Sequence, residues 1–424
     1  MIRAPAARAA TLALASRSLA QPVATYATQR RAAYAQKAPA PRAAPSRKPG
    51  PDRLSEDSYQ LAERVKHFVA RDQLDEAISV VRLAPLATVV VWNQLIHEIL
   101  RQRKYKLAWD TWMDMKRRGI EPSARGYSTF FAGFAAGAAH RQSVQHELAT
   151  ASGPKDRVKA VFAQWLKYAE GRSGKRTNSM GKLTILPEEG ERDLDEISVI
   201  PTNAYIGYLA NAKDYKLVLE TFAAMPTEGP LAPNSWTYTL VLNALRGAVR
   251  TPSATPGEPP VFNRDMFEAA MSVWRRMDSE AVSITTQTVS IVIQLCREAE
   301  RVEDQLVGLD VAERMFGLVP GLAGMTKLEM KALAPPKVPL DTAAVSGILT
   351  LALELRKFNL VVALFNQVRD YPERFGHHIV DYHHCDIVLV SLGKKRDSVA
   401  VEGPLVGVFN AACATLTCWL PSQS

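Results

Sequence analysis

The sequence is short of nearly everything that would mark a catalyst, a metalloprotein or a membrane protein. Four cysteines in 424 residues (Cys296, Cys385, Cys413, Cys418) are too few for a disulfide scaffold, and their spacing offers no paired CxxC or HxxxH halves for zinc. No stretch reaches the roughly 18 uninterrupted apolar residues that a bilayer-crossing helix needs; the best, Asn410 to Leu420, is short and carries Asn, Thr and Cys. GRSGKRT lacks the GxxxxGK[ST] spacing of a phosphate loop, and neither a G-x-S-x-G elbow nor the H-x-E and P-C-x-x-C pair of zinc deaminases is present. The one run with ligand chemistry is HHIVDYHHCD, with His377, His378, Asp381, His383, His384, Cys385 and Asp386. A helix would spread those groups around its axis, with no facing set elsewhere to complete a site. The expectation is therefore a protein that is not an enzyme, with no catalytic residues, no metal and no cofactor.

Acidic residues are missing at one end only. Residues 1–53 carry ten basic side chains and a single acid, Asp52, and so the entire net charge of +9. From residue 54 onward 42 basic residues balance 42 acidic ones, so the net charge says nothing about nucleic acid, and only local patches can. The N-terminal stretch is rich in Ala, Arg, Ser and Thr and can form an amphipathic helix from Ile2 to about Leu19, a matrix-targeting composition. Arg8 and Arg17 interrupt every apolar block of the length a secretory signal requires. Residues 1–36 read as a mitochondrial transit peptide, cleaved near Arg30 to Tyr34, and 37–55, with five prolines, as a linker. The plain alternative is a disordered basic arm.

What is present beyond that is a repeat. From Val89, VVVWNQLIHEILRQRKYKLAWDTWMDMKRRGIEPS places Trp92, Leu95, Ile96, Ile99 and Leu100 on one helical face. A break follows at Arg103 to Tyr105, then a second stripe of Leu107, Ala108, Trp112 and Met115, and Gly119 and Pro122 stop it. The unit is a helical hairpin of 35 residues. With Trp92 as a marker, the equivalent positions are Tyr127, Thr202, Tyr238, Val289 and Val345, at steps of 35, 75, 36, 51 and 56 residues. Each long step is one repeat plus an insertion, and the insertions fall on GRSGKRTNSMGK, TPSATPGEPP and Pro320 to Pro339, which have loop composition. YKLVLETFAAM (215–225), FEAAMSVWRRM (267–277), LDVAERMFGLV (309–319) and NLVVALFNQV (359–368) repeat the second-helix spacing. Residues 61–83 read as a degenerate capping pair, and VDYHHCDIVLV (380–390) as the start of another first helix. From Gly393 the frame is lost. The expected fold is all-α, an α-solenoid of helix-turn-helix repeats with long loop insertions over 56–392, and an irregular tail over 393–424. Trp92, Trp109, Trp112, Trp165, Trp236 and Trp274 read as packing residues.

VVVWNQLI, LAWDTWMDM and RRGIEPS, at a length of 35 residues, resemble the pentatricopeptide repeat family, most closely at 89–123 and then at 199–245 and 267–299. Tetratricopeptide repeats, at about 34 residues, are the nearest confusion; the 35-residue step and the G-I-x-P turn favour the former. The resemblance implies a right-handed superhelix of hairpins that reads about one RNA base per repeat. The base-reading positions it implies are the fifth residues Asn93, Ser128, Asn203, Thr239, Ser290 and Ser346, all small and polar, and the closing residues Ser123, Asn234, Thr285 and Asp341. Solvated or capping polar residues are the alternative for these ten. Phosphates could be held by Arg101, Arg103, Lys104 and Lys106, and by Lys116, Arg117 and Arg118; the alternative is a set of solvated helix ends, where cations are stabilising anyway.

The functional expectation is a mitochondrial, matrix-located protein that binds single-stranded RNA (mRNA, intron or rRNA). It would act in RNA processing, splicing, stability or translation, with small-subunit rRNA maturation among the candidates. Partners would be that RNA and, in addition, the mitochondrial ribosome or other RNA-processing proteins, with no membrane span. The other reading is a helical-repeat protein-protein scaffold in mitochondria.

Overall fold

The computed structural model describes residues 58–84, 88–139, 154–173, 197–251, 260–280, 282–319 and 335–398. Two compact units divide the chain, Met1–Leu54 and Ser55–Ser424. The first lies outside the described residues, and with it the transit-peptide and linker readings; so do Cys413, Cys418 and the stretch from Asn410 to Leu420.

Sixteen helices make up the described part of the second unit. In chain order they are α1 (Ser58–Ala70), α2 (Leu74–Leu83), α3 (Val89–Arg101), α4 (Tyr105–Arg117), α5 (Ala124–Ala139), α6 (Pro154–Ser173), α7 (Ile200–Asn211) and α8 (Tyr215–Ala223). They continue with α9 (Ser235–Val249), α10 (Arg264–Ser279), α11 (Thr286–Glu298), α12 (Val302–Phe316), α13 (Thr342–Glu354), α14 (Phe358–Asp370), α15 (Pro372–Phe375) and α16 (Tyr382–Ser398). The odd-numbered helices from α1 to α13, together with α16, are first helices, and each packs on the next in sequence; α2 to α14, even-numbered, are the second helices that return behind them. The all-α repeat architecture read from periodicity is the architecture of this unit.

Each hairpin forms for the reasons its sequence carries. In the 89–123 unit, Trp92, Leu95, Ile96 and Ile99 of α3 and Ala108, Trp112 and Met115 of α4 are all buried, which gives two helices one shared apolar seam. Gly119, at φ +76°, ends α4 in the left-handed conformation that glycine adopts without steric cost. The Ile120 N–H then closes back onto the Met115 carbonyl at 3.2 Å. Trp112 reaches beyond its own hairpin to pack edge-on against Tyr127 and at a tilt against Phe130 of α5, at centroid separations of 5.3 and 4.9 Å. All six marker residues, from Trp92 to Val345, are buried, so the frame counted along the sequence is the frame of the packing.

Three elements depart from the reading above. Helix α6 is the second helix of the 124–173 hairpin, and its buried residues Val158, Val161, Trp165 and Ala169 recur at helical spacing. Its signal is hidden because the helix follows 14 residues that lie outside the described structure and ends inside GRSGKRTNSMGK, where Gly171 to Ser173 are helical rather than loop. The TPSATPGEPP insertion leaves from a short antiparallel pair, β1 (Arg250–Thr251) with β2 (Val261–Phe262), in register Arg250 to Phe262. Helix α16 continues to Ser398, so the first six residues of the supposed irregular tail are a helix; Gly393 costs a helix interior about 1 kcal/mol, too little to end it. Among the described residues no helix is long and apolar enough to cross a membrane.

Close approach of α5 to the hairpin before it depends on small residues. A Cβ on Gly133 would lie 2.5 Å from Leu100, and one on Gly137 would run into the ring of the buried Tyr105. Gly137→Ala should therefore destabilise the protein by about 1–3 kcal/mol despite the gain in helix propensity, measured by urea denaturation; unchanged stability would show that the two helices can separate at no cost.

At the other end of the array, α16 is capped by a reciprocal pair. The His384 N–H donates to Asp381 Oδ1 at 3.2 Å and the Asp381 N–H donates to His384 Nδ1 at 2.9 Å, which leaves the ring proton on Nε2, 3.1 Å from the Thr342 carbonyl. His384 is fully buried, and burial holds its pKa below the ordinary 6.5, against the pull of the Asp381 carboxylate and the Thr342 carbonyl, with His383 adding to the lowering. The unfolded chain therefore takes up the proton first as pH falls. Stability from this cap is present above about pH 6.5 and is lost below it. Amide protection factors in α16, corrected for the base-catalysed intrinsic rate, should fall as pH drops from 7.5 to 5.5, and His384→Gln should flatten that dependence; an equal slope in the variant would assign it to another group.

Candidate nucleic-acid interface

The six small polar residues occupy one structural position. Each is the fifth residue of its first helix, or the fourth in α7, and each sits at the joint where that helix meets the next first helix. Asn93, Asn203 and Thr239 are buried there, and Ser128, Ser290 and Ser346 are half-buried. The closing residues are helix caps. Asn234 Oδ1 accepts from the Thr237 N–H at 2.9 Å, Thr285 Oγ1 from the Thr288 N–H at 3.3 Å, Asp341 Oδ1 from the Ala344 N–H at 2.7 Å, and Ser123 Oγ from the Gly126 N–H at 3.3 Å. Each satisfies an N–H that the first turn of a helix leaves without a backbone partner.

The two sets meet. Asn93 Nδ2 donates directly to Ser123 Oγ at 3.1 Å. Elsewhere a third residue joins them: the Thr237 hydroxyl donates to Asn203 Oδ1 at 2.8 Å, and Thr288 Oγ1 lies 2.8 Å from Thr239 Oγ1 and 2.9 Å from Thr285 Oγ1. His384 Nε2 lies 2.9 Å from Ser346 Oγ, with Asp381 as the cap. Ser290 and Asp341 share no such bridge: Ser290 Oγ is buried with no hydrogen-bond partner. Sequence reasoning missed Thr237, Thr288, His384 and Asp381, although the capping spacing is legible in NSWT, TTQT and DYHH. In the histidine run, His377 and His378 are exposed while His384 is a buried cap. Among the described residues no three His, Cys, Asp or Glu side chains come together. Burial pushes the Cys296 thiol up to about 12, so it stays protonated and unreactive.

Beside the joints the first helices keep a narrow exposed strip. Ile200 and Trp236 stand three residues before Asn203 and Thr239, one helical turn away on the same side, whereas Val90, at the same spacing before Asn93, is half-buried against the core. Ile200 is 61% exposed and Trp236 42%, so Trp236 is not the packing residue its spacing suggested. An indole and a branched aliphatic chain thus face solvent from two adjacent first helices, α7 and α9.

The seven candidate phosphate residues fall into two places. Arg101, Arg103, Lys104 and Lys106 cluster at the α3–α4 turn, while Lys116, Arg117 and Arg118 lie at the far end of α4, about 20 Å away along its axis. Only the second group is at the same end as the caps. Within the sets, Arg101 pairs with Glu98 at 2.9 Å and Lys116 donates to Gln164 Oε1 at 2.7 Å. Arg118 is held by Asp114 at 3.3 Å and the Arg82 carbonyl at 2.9 Å, over the Trp92 ring. Arg103, Lys104, Lys106 and Arg117 are exposed.

Comparison with known proteins bears on this arrangement at one point. Crystal structures of the pentatricopeptide repeat protein PPR10, from maize, and of PPR10 in complex with an 18-nt psaJ RNA element align at 14% identity with TM-scores of 0.24 and 0.21. The alignments cover 80% and 82% of this chain and 53% and 59% of theirs, so the chain spans little more than half the length of those proteins. No curated protein sequence matches it. The PPR repeat family model matches residues 87–136. The part of the chain similar to the PPR repeat family is therefore the hairpin α3–α4 and most of the first helix that follows it, from which the frame of every other unit is counted.

Proposed function

We propose that this chain binds single-stranded RNA along the exposed strip of its first helices and acts by binding, without bond chemistry of its own. The observation that carries the reading is the exposure of Ile200 and Trp236 at the same position of two adjacent first helices, α7 and α9. Unpaired bases have an apolar face, so exposed apolar side chains repeated at one position of successive first helices give them places to stack. Arg103, Lys104, Lys106 and Arg117, exposed at the two ends of α4, supply charge for the backbone. The maize relative with which the chain aligns is a repeat protein solved with a single RNA element, which accords with this reading. With the N-terminal composition, the RNA would be a mitochondrial transcript, intron or ribosomal RNA in the matrix, and the protein a factor in its processing, splicing, stability or translation, alongside the mitochondrial ribosome or other RNA-processing proteins.

Fluorescence anisotropy with a labelled single-stranded RNA pool, on protein with and without residues 1–53, tests this. Both forms should bind, with affinity falling as salt rises. Trp236→Ala should weaken binding by about 5- to 150-fold, the worth of roughly one stacked base, with little change in melting temperature because the ring is partly exposed. No binding at low salt by the protein lacking residues 1–53 would contradict the reading and favour a protein-binding scaffold.

A further inference from the structure

The joints between first helices are not alike. Where the third residue of the incoming helix carries a polar side chain, that side chain occupies the fifth residue of the helix before it: Thr237 takes Asn203, Thr288 takes Thr239, and His384 takes Ser346. Where it does not, capacity is left over. Gly126 has no side chain, and Asn93, bonded to Ser123 through Nδ2, keeps Oδ1 without a partner. Ala344 has no polar atom, and Ser290 Oγ is buried without a partner. At the α5–α7 joint the equivalent residue is Pro201, which has no polar side-chain atom, and the Thr202 hydroxyl beside it accepts from Trp165 Nε1 at 3.1 Å. Ser128 is therefore bonded only within its own turn, donating to the Arg125 carbonyl at 2.9 Å, with its oxygen lone pairs left over.

We propose that the third residue of each first helix decides which of the preceding fifth residues can read an RNA base: Asn93, Ser128 and Ser290 are open to one, whereas Asn203, Thr239 and Ser346 are locked as joints. This rests on the RNA-binding reading above. The physical reason is exchange of partners. Asn93 Oδ1 and Ser290 Oγ are themselves covered, so at an open position the side chain turns outward to meet a base edge and gains a hydrogen bond that the fold does not supply. At a locked position the base must first break a buried bond, and the gain is cancelled. The units then differ in role, with bases stacked on Ile200 and Trp236 held by their faces and not by their edges.

Selection of a randomised single-stranded RNA pool by the full-length protein, followed by sequencing, reads both halves when melting temperature is recorded for each variant. Ser128→Ala and Ser290→Ala should each lose the base preference at one nucleotide and leave the melting temperature unchanged. Thr239→Val should lower the melting temperature and leave every preference in place. Thr288→Ala should unlock Thr239 and add a preference at one new nucleotide, and Thr288→Ser, which keeps the hydroxyl, should restore the wild-type profile. The proposal is overturned if Thr239→Val removes a preference, if Thr288→Ala adds none, or if the wild type binds the pool without preference. A wild type that does not bind the pool at all overturns the RNA-binding reading, and this proposal with it.

Discussion

An isolated hairpin of two short helices exposes apolar surface on both of its sides, and it becomes stable only when a neighbour covers each side. That constraint organises the whole second unit. Trp112 of one hairpin packs on Tyr127 and Phe130 of the next, and every first helix lies against its successor. Because the condition is met in space, the chain is free to lengthen wherever it leaves the stack. The insertions after α6, at the β1–β2 pair and after α12 all sit where one helix has ended and the next has not begun, and the closure entropy of a loop grows only slowly with its length.

Covering apolar surface alone would give no reason for polar atoms inside the joints, yet each joint from α3 onward carries them. They do two things at once. As caps, Ser123, Asn234, Thr285, Asp341 and Asp381 terminate the backbone of the incoming helix. As bridges, Thr237, Thr288 and His384 tie that cap to the helix before it, which pins the angular register of one hairpin on the next. The same row of positions that the family resemblance marks for base contact is thus a structural seam, with which the proposed base contact would compete residue by residue.

Much of this was legible. A marker spaced by about 35 residues located six buried first-helix positions because burial at a helix–helix seam demands a large or well-packed side chain at one phase of the period. Helix α6 was not legible, since a marker on first helices says nothing of a second helix displaced by an insertion. Trp236 was misread for a related reason: spacing identifies the side of a helix, but the strip left exposed between two neighbouring helices is set by how closely they approach, which periodicity does not contain. The bridges were missed because a capping residue and its partner three places on look like ordinary helix-start chemistry until the preceding helix is seen against them.

The proposed function requires RNA to lie along the first helices and not along the second helices behind them. Ultraviolet crosslinking of the full-length protein to a mixed-sequence single-stranded RNA, with the crosslinked peptides identified by mass spectrometry, tests this directly. The expected result is crosslinks on α7 and α9, centred on Ile200 and Trp236, and on the neighbouring first helices. Crosslinks confined to α4, α8, α10 and α12, or to residues 1–53 alone, would contradict it.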